Sequence, residues 1–292
     1  MTDTHIKISF SGPGYITKAV HTLAEGGQKI VTSRRHRKGR GPLIVTPEGV
    51  TAIPAKHKYP WLHFWVPTRL TWWVAVLFII GSGIFSVGGF AISFPAHTFK
   101  VLTTGITVDW VFFIGSLFFT AAAYCQLLEA INSGDSDGLY ADEERIHAFQ
   151  WLAWQPKRIG YMASLAQLIG AVMFNFNTGN ALIGELDWVQ QNLLIWTPNI
   201  IGCICFLIAS RLAFMEACHD YWGWQPGKIE WWITTLNLLG STGFMVSALY
   251  SLGVPPGDSS ATFSWLSAVF TFQGGVCFFI ASYLLLPEMF SE

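Results

Sequence analysis

Four polar residues stand where the chain is otherwise apolar, and their types could recognise an ion or an anionic metabolite. Gln167 and Asn237 carry amides, Arg211 a permanent cation and Glu216 a carboxylate. A guanidinium inside a membrane-spanning stretch is costly and normally faces a bundle interior or a wet cavity, with a partner. The same four residues could instead make interhelical hydrogen bonds, each contributing about 0.6–2 kcal/mol. Asn175, Asn177, Asn199 and Gln273 add further polar groups in or at the ends of the apolar stretches. Catalytic and cofactor chemistry is poorly represented. Four of the eight histidines lie in the first sixty residues, and the others are scattered. That pattern lacks the i, i+4 spacing on one span that suits haem or a two-metal bundle. Cys218, His219 and Asp220 are adjacent, so their side chains diverge at a helix end. There is no Walker or dinucleotide fingerprint. The expectation is therefore a non-enzymatic protein with no cofactor, no metal and no nucleic-acid partner.

The elements that would hold these residues follow from composition. Apolar residues make up 52% of the 292-residue chain and charged residues only 12%, against roughly 25% in soluble domains. Six apolar segments run over about 70–94, 107–128, 159–176, 193–215, 229–250 and 263–286. Each approaches the ~20 residues needed to cross a hydrocarbon core. The expected fold class is an all-α integral membrane protein with six transmembrane helices, arranged as three tandem two-helix hairpin repeats.

The repeats show as recurring residues. Trp-x-Pro-x-(Arg/Lys)-(Leu/Ile) occurs as WVPTRL at 65–70, WQPKRI at 154–159 and WQPGKI at 224–229. Sixteen residues after each Trp stands a glycine (Gly81, Gly170, Gly240), and four later a phenylalanine (Phe85, Phe174, Phe244). The even spans carry Gly115, Phe119, Ala123, Glu129, then Gly202, Phe206, Ser210, Glu216, then Gly274, Phe278, Ser282, Glu288. At 100° per residue these fall within a ~120° arc of one helix face. The spacing predicts a ring from one helix lying over the glycine of its neighbour, where small residues let backbones approach. Proline in the motif suits a first helical turn. The motif cation lies ~18 Å before its glycine and the glutamate ~21 Å after its own. Structural charge pairs are thus expected among Arg69, Glu129, Arg158, Glu216, Lys228 and Glu288. The organisation reads as a basic N-terminal segment over 1–60, then hairpins over 61–153, 154–223 and 224–292.

Charge sets the expected orientation. Residues 1–60 hold ten Lys and Arg against three Asp and Glu, and the remainder seven against fifteen. By the positive-inside rule the N-terminus is cytoplasmic, and six spans return the C-terminus to the same side. A multi-pass protein of a bacterial inner (plasma) membrane is expected. The basic run at Arg34, Arg35, Arg37, Lys38 and Arg40 would attract anionic lipid headgroups. IKISF at 6–10 could add as an edge strand to a partner. The acidic stretch 133–144 could fold against the basic run or be solvated. Five cysteines, none in an expected outward loop, argue against a disulfide framework.

IGSLFF at 114–119 and LLLPE at 284–288 resemble the YrhK-like family of uncharacterised bacterial membrane proteins. That resemblance implies a two-helix hairpin unit and carries over no functional residue. Two functions remain open from the residues. One is an accessory or interaction subunit packing against membrane proteins, lipids or its own copies. The other is a small transporter or channel using Arg211, Glu216, Gln167 and Asn237.

Overall fold

The computed structural model describes residues 5–23, 26–46, 49–51, 65–103, 105–133, 148–252 and 261–290. Most of the acidic stretch 133–144, expected to meet the basic run or be solvated, lies outside the described residues. Five strands come first: β1 (His5–Ser11), β2 (Lys18–Leu23), β3 (Gln28–Thr32), β4 (Leu43–Thr46) and β5 (Gly49–Thr51). They form one antiparallel meander in chain order. A short helix, α1 (Ser33–Arg37), sits between β3 and β4. The helical part then comprises α2 (Leu70–Ser93), α3 (Gly105–Ile131), α4 (Ile159–Ala181), α5 (Trp188–Gln191), α6 (Thr197–Cys218), α7 (Ile229–Ser251) and α8 (Ala261–Glu288).

Within residues 5–51 the sheet departs from the all-α expectation. Its strands are short, and β2 alternates half-buried and buried positions around a core of little more than Ala19 and Val31. So small an apolar face leaves little signal. Turn glycines are the better clue, since Gly14 and Gly26 adopt φ of +71° and +81°, where residues with a Cβ are strained. The segment 6–10 is an edge strand, but of this chain's own sheet, paired to β2.

Five stretches are long and apolar enough to cross a membrane: Leu70–Ser93, Gly105–Ile131, Ile159–Ala181, Trp188–Cys218 and Thr262–Glu288. The chain is thus a mostly helical, multi-pass membrane protein. Helix α7 is 23 residues long but is not among the five. Thr234, Thr235, Asn237, Ser241, Thr242 and Ser247 dilute its hydropathy. The six long helices close into a ring in chain order, α2–α3–α4–α6–α7–α8 and back to α2.

Each Trp-x-Pro motif builds a turn before its helix, which corrects the first-turn placement of its proline. Backbone N–H groups of Arg69, Arg158 and Lys228 donate to the carbonyls of Val66, Gln155 and Gln225. Pro67, Pro156 and Pro226 therefore occupy the second turn position, which their fixed φ favours. The cations are extended N-caps, and the helices start at the next residue. An aromatic seven positions after each motif Trp closes the turn. Ring centroids lie 5.1 Å apart for Trp65–Trp72, 6.1 Å for Trp154–Tyr161 and 4.9 Å for Trp224–Trp231.

Another proline shapes the entry to α6. Pro198 has no N–H for the carbonyl four residues earlier, and residues Asn192–Trp196 widen into a π turn. The released Leu194 carbonyl accepts from Asn180 Nδ2 at 2.8 Å, and Ile195 from Asn177 Nδ2 at 2.9 Å. In lipid such carbonyls must find donors within the protein. Asn177 is thereby a structural residue.

The bundle axis is filled by six phenylalanines. Phe85, Phe174 and Phe244 form one triangle, with centroids 5.9–6.5 Å apart. Phe119, Phe206 and Phe278 form a second, 5.7–6.2 Å apart. Within each hairpin one ring of each triangle meets the other at 5.0–5.5 Å. The glycines are what allow this. A Cβ on Gly81, Gly170 or Gly240 would lie 2.6–2.9 Å from the ring of Phe119, Phe206 or Phe278. Gly115 and Gly274 stand in the same relation to Phe85 and Phe244. The expected ring-over-glycine packing is present.

Candidate functional site

Glu129, Glu216 and Glu288 end α3, α6 and α8 at one end of the ring, and all are buried, at 6%, 1% and 0% exposure. Three carboxylates at three helix C-termini compound two negative contributions, because each terminus already carries a partial negative charge. Such a cluster demands cations, and α1 delivers them. Arg34, Arg37 and Lys38 are three and four residues apart, so one face of a single turn carries all three.

Arg34 binds Glu288 in bidentate fashion, Nε donating to Oε1 at 2.8 Å and Nη2 to Oε2 at 3.1 Å. Arg37 bridges two helices: Nη1 donates to Glu129 at 3.3 Å and Nη2 to Glu216 at 2.6 Å. Lys38 Nζ lies 3.5 Å from Glu288, and Arg40 donates to Glu230 at 2.7 Å. Hydroxyls complete the set, Ser33 donating to Glu216 at 3.0 Å and Thr71 to Glu129. Burial works against the charge of Arg34, but the Glu288 carboxylate outweighs it and raises the pKa. For Lys38 burial prevails and lowers the pKa, against the attraction of Glu288 and Glu129. The difference follows from geometry, since Arg34 holds both carboxylate oxygens and Lys38 approaches one from farther away.

This arrangement corrects two expectations. The glutamates are neutralised by the N-terminal run rather than by the span-entry cations. Arg69 donates to the Met289 carbonyl at 3.3 Å, and Arg158 to Gln155 and Ser133. Lys228 is the N-cap of α7, far in role from Glu288. The basic run is likewise not laid out for lipid headgroups: Arg34, Arg37, Lys38 and Arg40 are all buried. Arg35 points elsewhere, donating to the Gly41 carbonyl at 3.3 Å. Sequence reasoning missed Ser33 and Thr71, and missed the function of the run. The available signal was its helical spacing, three buried-side cations in five residues, matched by three recurring glutamates.

The buried cations Arg34, Arg37, Lys38 and Arg40 plug one end of the bundle, and between this plug and the phenylalanines lies a cavity of about 60 Å³. Arg34, Arg37, Lys38, Glu129, Gln167 and Asn237 are in its wall. Gln167 and Asn237 are thus brought together as expected, but Arg211 and Glu216 do not join them. Arg211 turns to the side, its Cζ 4.4 Å from the Trp222 ring centroid and 5.9 Å from that of Phe214. Glu216 is engaged by Arg37 and Ser33. Asn175 donates to Thr120 and Gln273 to the Leu239 carbonyl, so these are interhelical bonds. Cys218, His219 and Asp220 diverge onto Gly223, Thr17 and Tyr221.

His219 ties the sheet to the bundle. It caps α6 in the left-handed region at φ +58°, and its Nδ1 lies 3.0 Å from Oγ1 of the fully buried Thr17. Burial, then Lys18 and Lys228, hold its pKa at about 4, below the ~6.5 of a free imidazole. The folded state therefore prefers the neutral ring. Stability is expected to be constant above pH ~6.5 and to fall as pH drops toward 4, by up to about 3 kcal/mol. Thermal unfolding at pH 7 and pH 5 checks this, and His219→Asn should flatten the dependence. An unchanged slope in that variant would remove His219 as its source.

No protein-family model, curated protein or solved structure matches the chain.

Proposed function

We propose that the protein is a six-span, three-hairpin membrane protein that works without catalysis as an accessory or interaction subunit, packing against other membrane proteins or lipids. The observation that carries this reading is the closed axis: six phenylalanine rings fill its middle, and the N-terminal cations seal one end. Helix α7 counts as the sixth span because α6 and α8 flank it in the ring. The motif tryptophans Trp65, Trp154 and Trp224 are 77%, 72% and 80% exposed, as amphipathic rings are at a membrane interface. With the basic segment at that end, both termini face the cytoplasm of a bacterial inner membrane. The likeness to YrhK-like hairpins belongs to this proposal and adds no residue role.

The transport reading draws on the polar cavity with Gln167 and Asn237 in its wall. It loses its intended centre, because Arg211 stacks on Trp222 outside that wall. Native mass spectrometry of the protein gently extracted from its own membrane tests the choice. Stoichiometric foreign subunits are the expected result, and Arg211→Leu should leave that assembly intact. A bare chain that conducts ions in liposomes, with conduction lost in Arg211→Leu, would overturn the proposal in favour of transport.

A further inference from the structure

The cavity between plug and phenylalanines has polar walls that the protein does not satisfy by itself. Gln167 on α4 is only 7% exposed. Among the described residues neither its amide nor that of Asn237 has a hydrogen-bond partner. The buried Gln167 amide left so costs about 1–3 kcal/mol, and with the half-buried Asn237 amide on the same space it calls for an occupant. About 60 Å³ admits roughly four waters at ~15 Å³ each, or a small ion with water.

Chemistry selects among the occupants. Arg34 has five N–H groups, two of them on Glu288. Lys38 brings three more, its nearest carboxylate oxygen 3.5 Å away. Glu129 is the one carboxylate in the wall, and it is engaged by Arg37 and Thr71. The charges of these cations are matched by Glu129, Glu216 and Glu288, but spare N–H donors on Arg34 and Lys38 still face the space beside the two amides. Water relieves the amides but accepts only weakly from the guanidinium and ammonium N–H groups. An anion accepts from all of these groups and offsets the desolvation of Lys38. Phe78, Phe278 and Ile233 add an apolar side to the wall, which suits a weakly hydrated anion.

We propose that this cavity binds a small inorganic anion of halide or nitrate size, held by Arg34, Lys38, Gln167 and Asn237. The site is independent of the interaction role: it bears on what the bundle contains, not on what it meets.

The test is thermal unfolding of the detergent-purified full chain, with chloride, bromide or nitrate replacing gluconate at constant ionic strength. A saturable rise in Tm is expected, roughly 5 °C at a hundredfold excess over Kd. Gln167→Leu should abolish the rise while melting close to the wild type in gluconate. Identical melting in all four anions would overturn the proposal, as would a full response in Gln167→Leu. Should that variant not fold, crystals of the wild type in bromide decide. An anomalous peak between Gln167 and Lys38 supports the site, and bromide at the surface alone refutes it.

Discussion

Arg37→Met is expected to be the most damaging single substitution in the chain, costing about 3–5 kcal/mol. Arg37 reaches two buried carboxylates on different helices, Glu129 on α3 and Glu216 on α6. Its loss leaves both charges at helix C-termini without their closest cation, in a setting with little water to screen them. The cost is therefore not that of one exposed ion pair, which would be below ~1 kcal/mol. Arg37→Lys should recover little, because one ammonium lacks the fork that places Nη1 and Nη2 on separate partners. Neutralising the partners should recover much of the loss, so Arg37→Met combined with Glu129→Gln and Glu216→Gln is expected to melt well above Arg37→Met alone. Thermal unfolding and yield from membranes report both. If Arg37→Met melts within a degree of the wild type, the plug does not hold the base of the bundle.

Gly89→Ala is the second large effect, of about 1–3 kcal/mol or more. A Cβ at Gly89 would lie 2.7 Å from the backbone nitrogen of Phe272 and 2.8 Å from its Cα. A ring can rotate away from a new methyl group, but a helix backbone cannot, so α2 and α8 would have to separate. Gly83 on the same helix supplies the contrast. Its Cβ would meet only the Phe279 ring, at 3.6 Å, an ordinary contact. Gly83→Ala should then be neutral or stabilising by up to ~1 kcal/mol through helix propensity. Paired melts of the two variants read the difference directly. Equal effects would mean that close backbone approach does not govern this interface.

Much of the helical architecture was legible in the chain because lipid-spanning helices write their limits locally. Helices expected from about 70, 159 and 229 begin at Leu70, Ile159 and Ile229, since the Trp-x-Pro turn ends just before them. The glycine and phenylalanine spacing located the rings of the core, because a helix carries its 3.6-residue period into any packing. Gln167 and Asn237, each three residues before a recurring glycine, stand in the wall of one cavity, whereas Arg211 and Glu216 do not. Partner choice was another matter. Arg37 and Glu216 are 179 residues apart, and nothing in local spacing joins them. Equal depth along the axis made Arg69, Arg158 and Lys228 look like suitable partners, yet Arg69 and Lys228 are exposed and Arg158 is held by Gln155 and Ser133. The glutamates are instead buried against a separate element, α1. The small sheet that aims α1 has almost no apolar face of its own, so its pattern was faint. Local periodicity determined the helices and their seams; only the tertiary structure decided which cation enters the base, because that depends on where a distant segment can be placed in three dimensions.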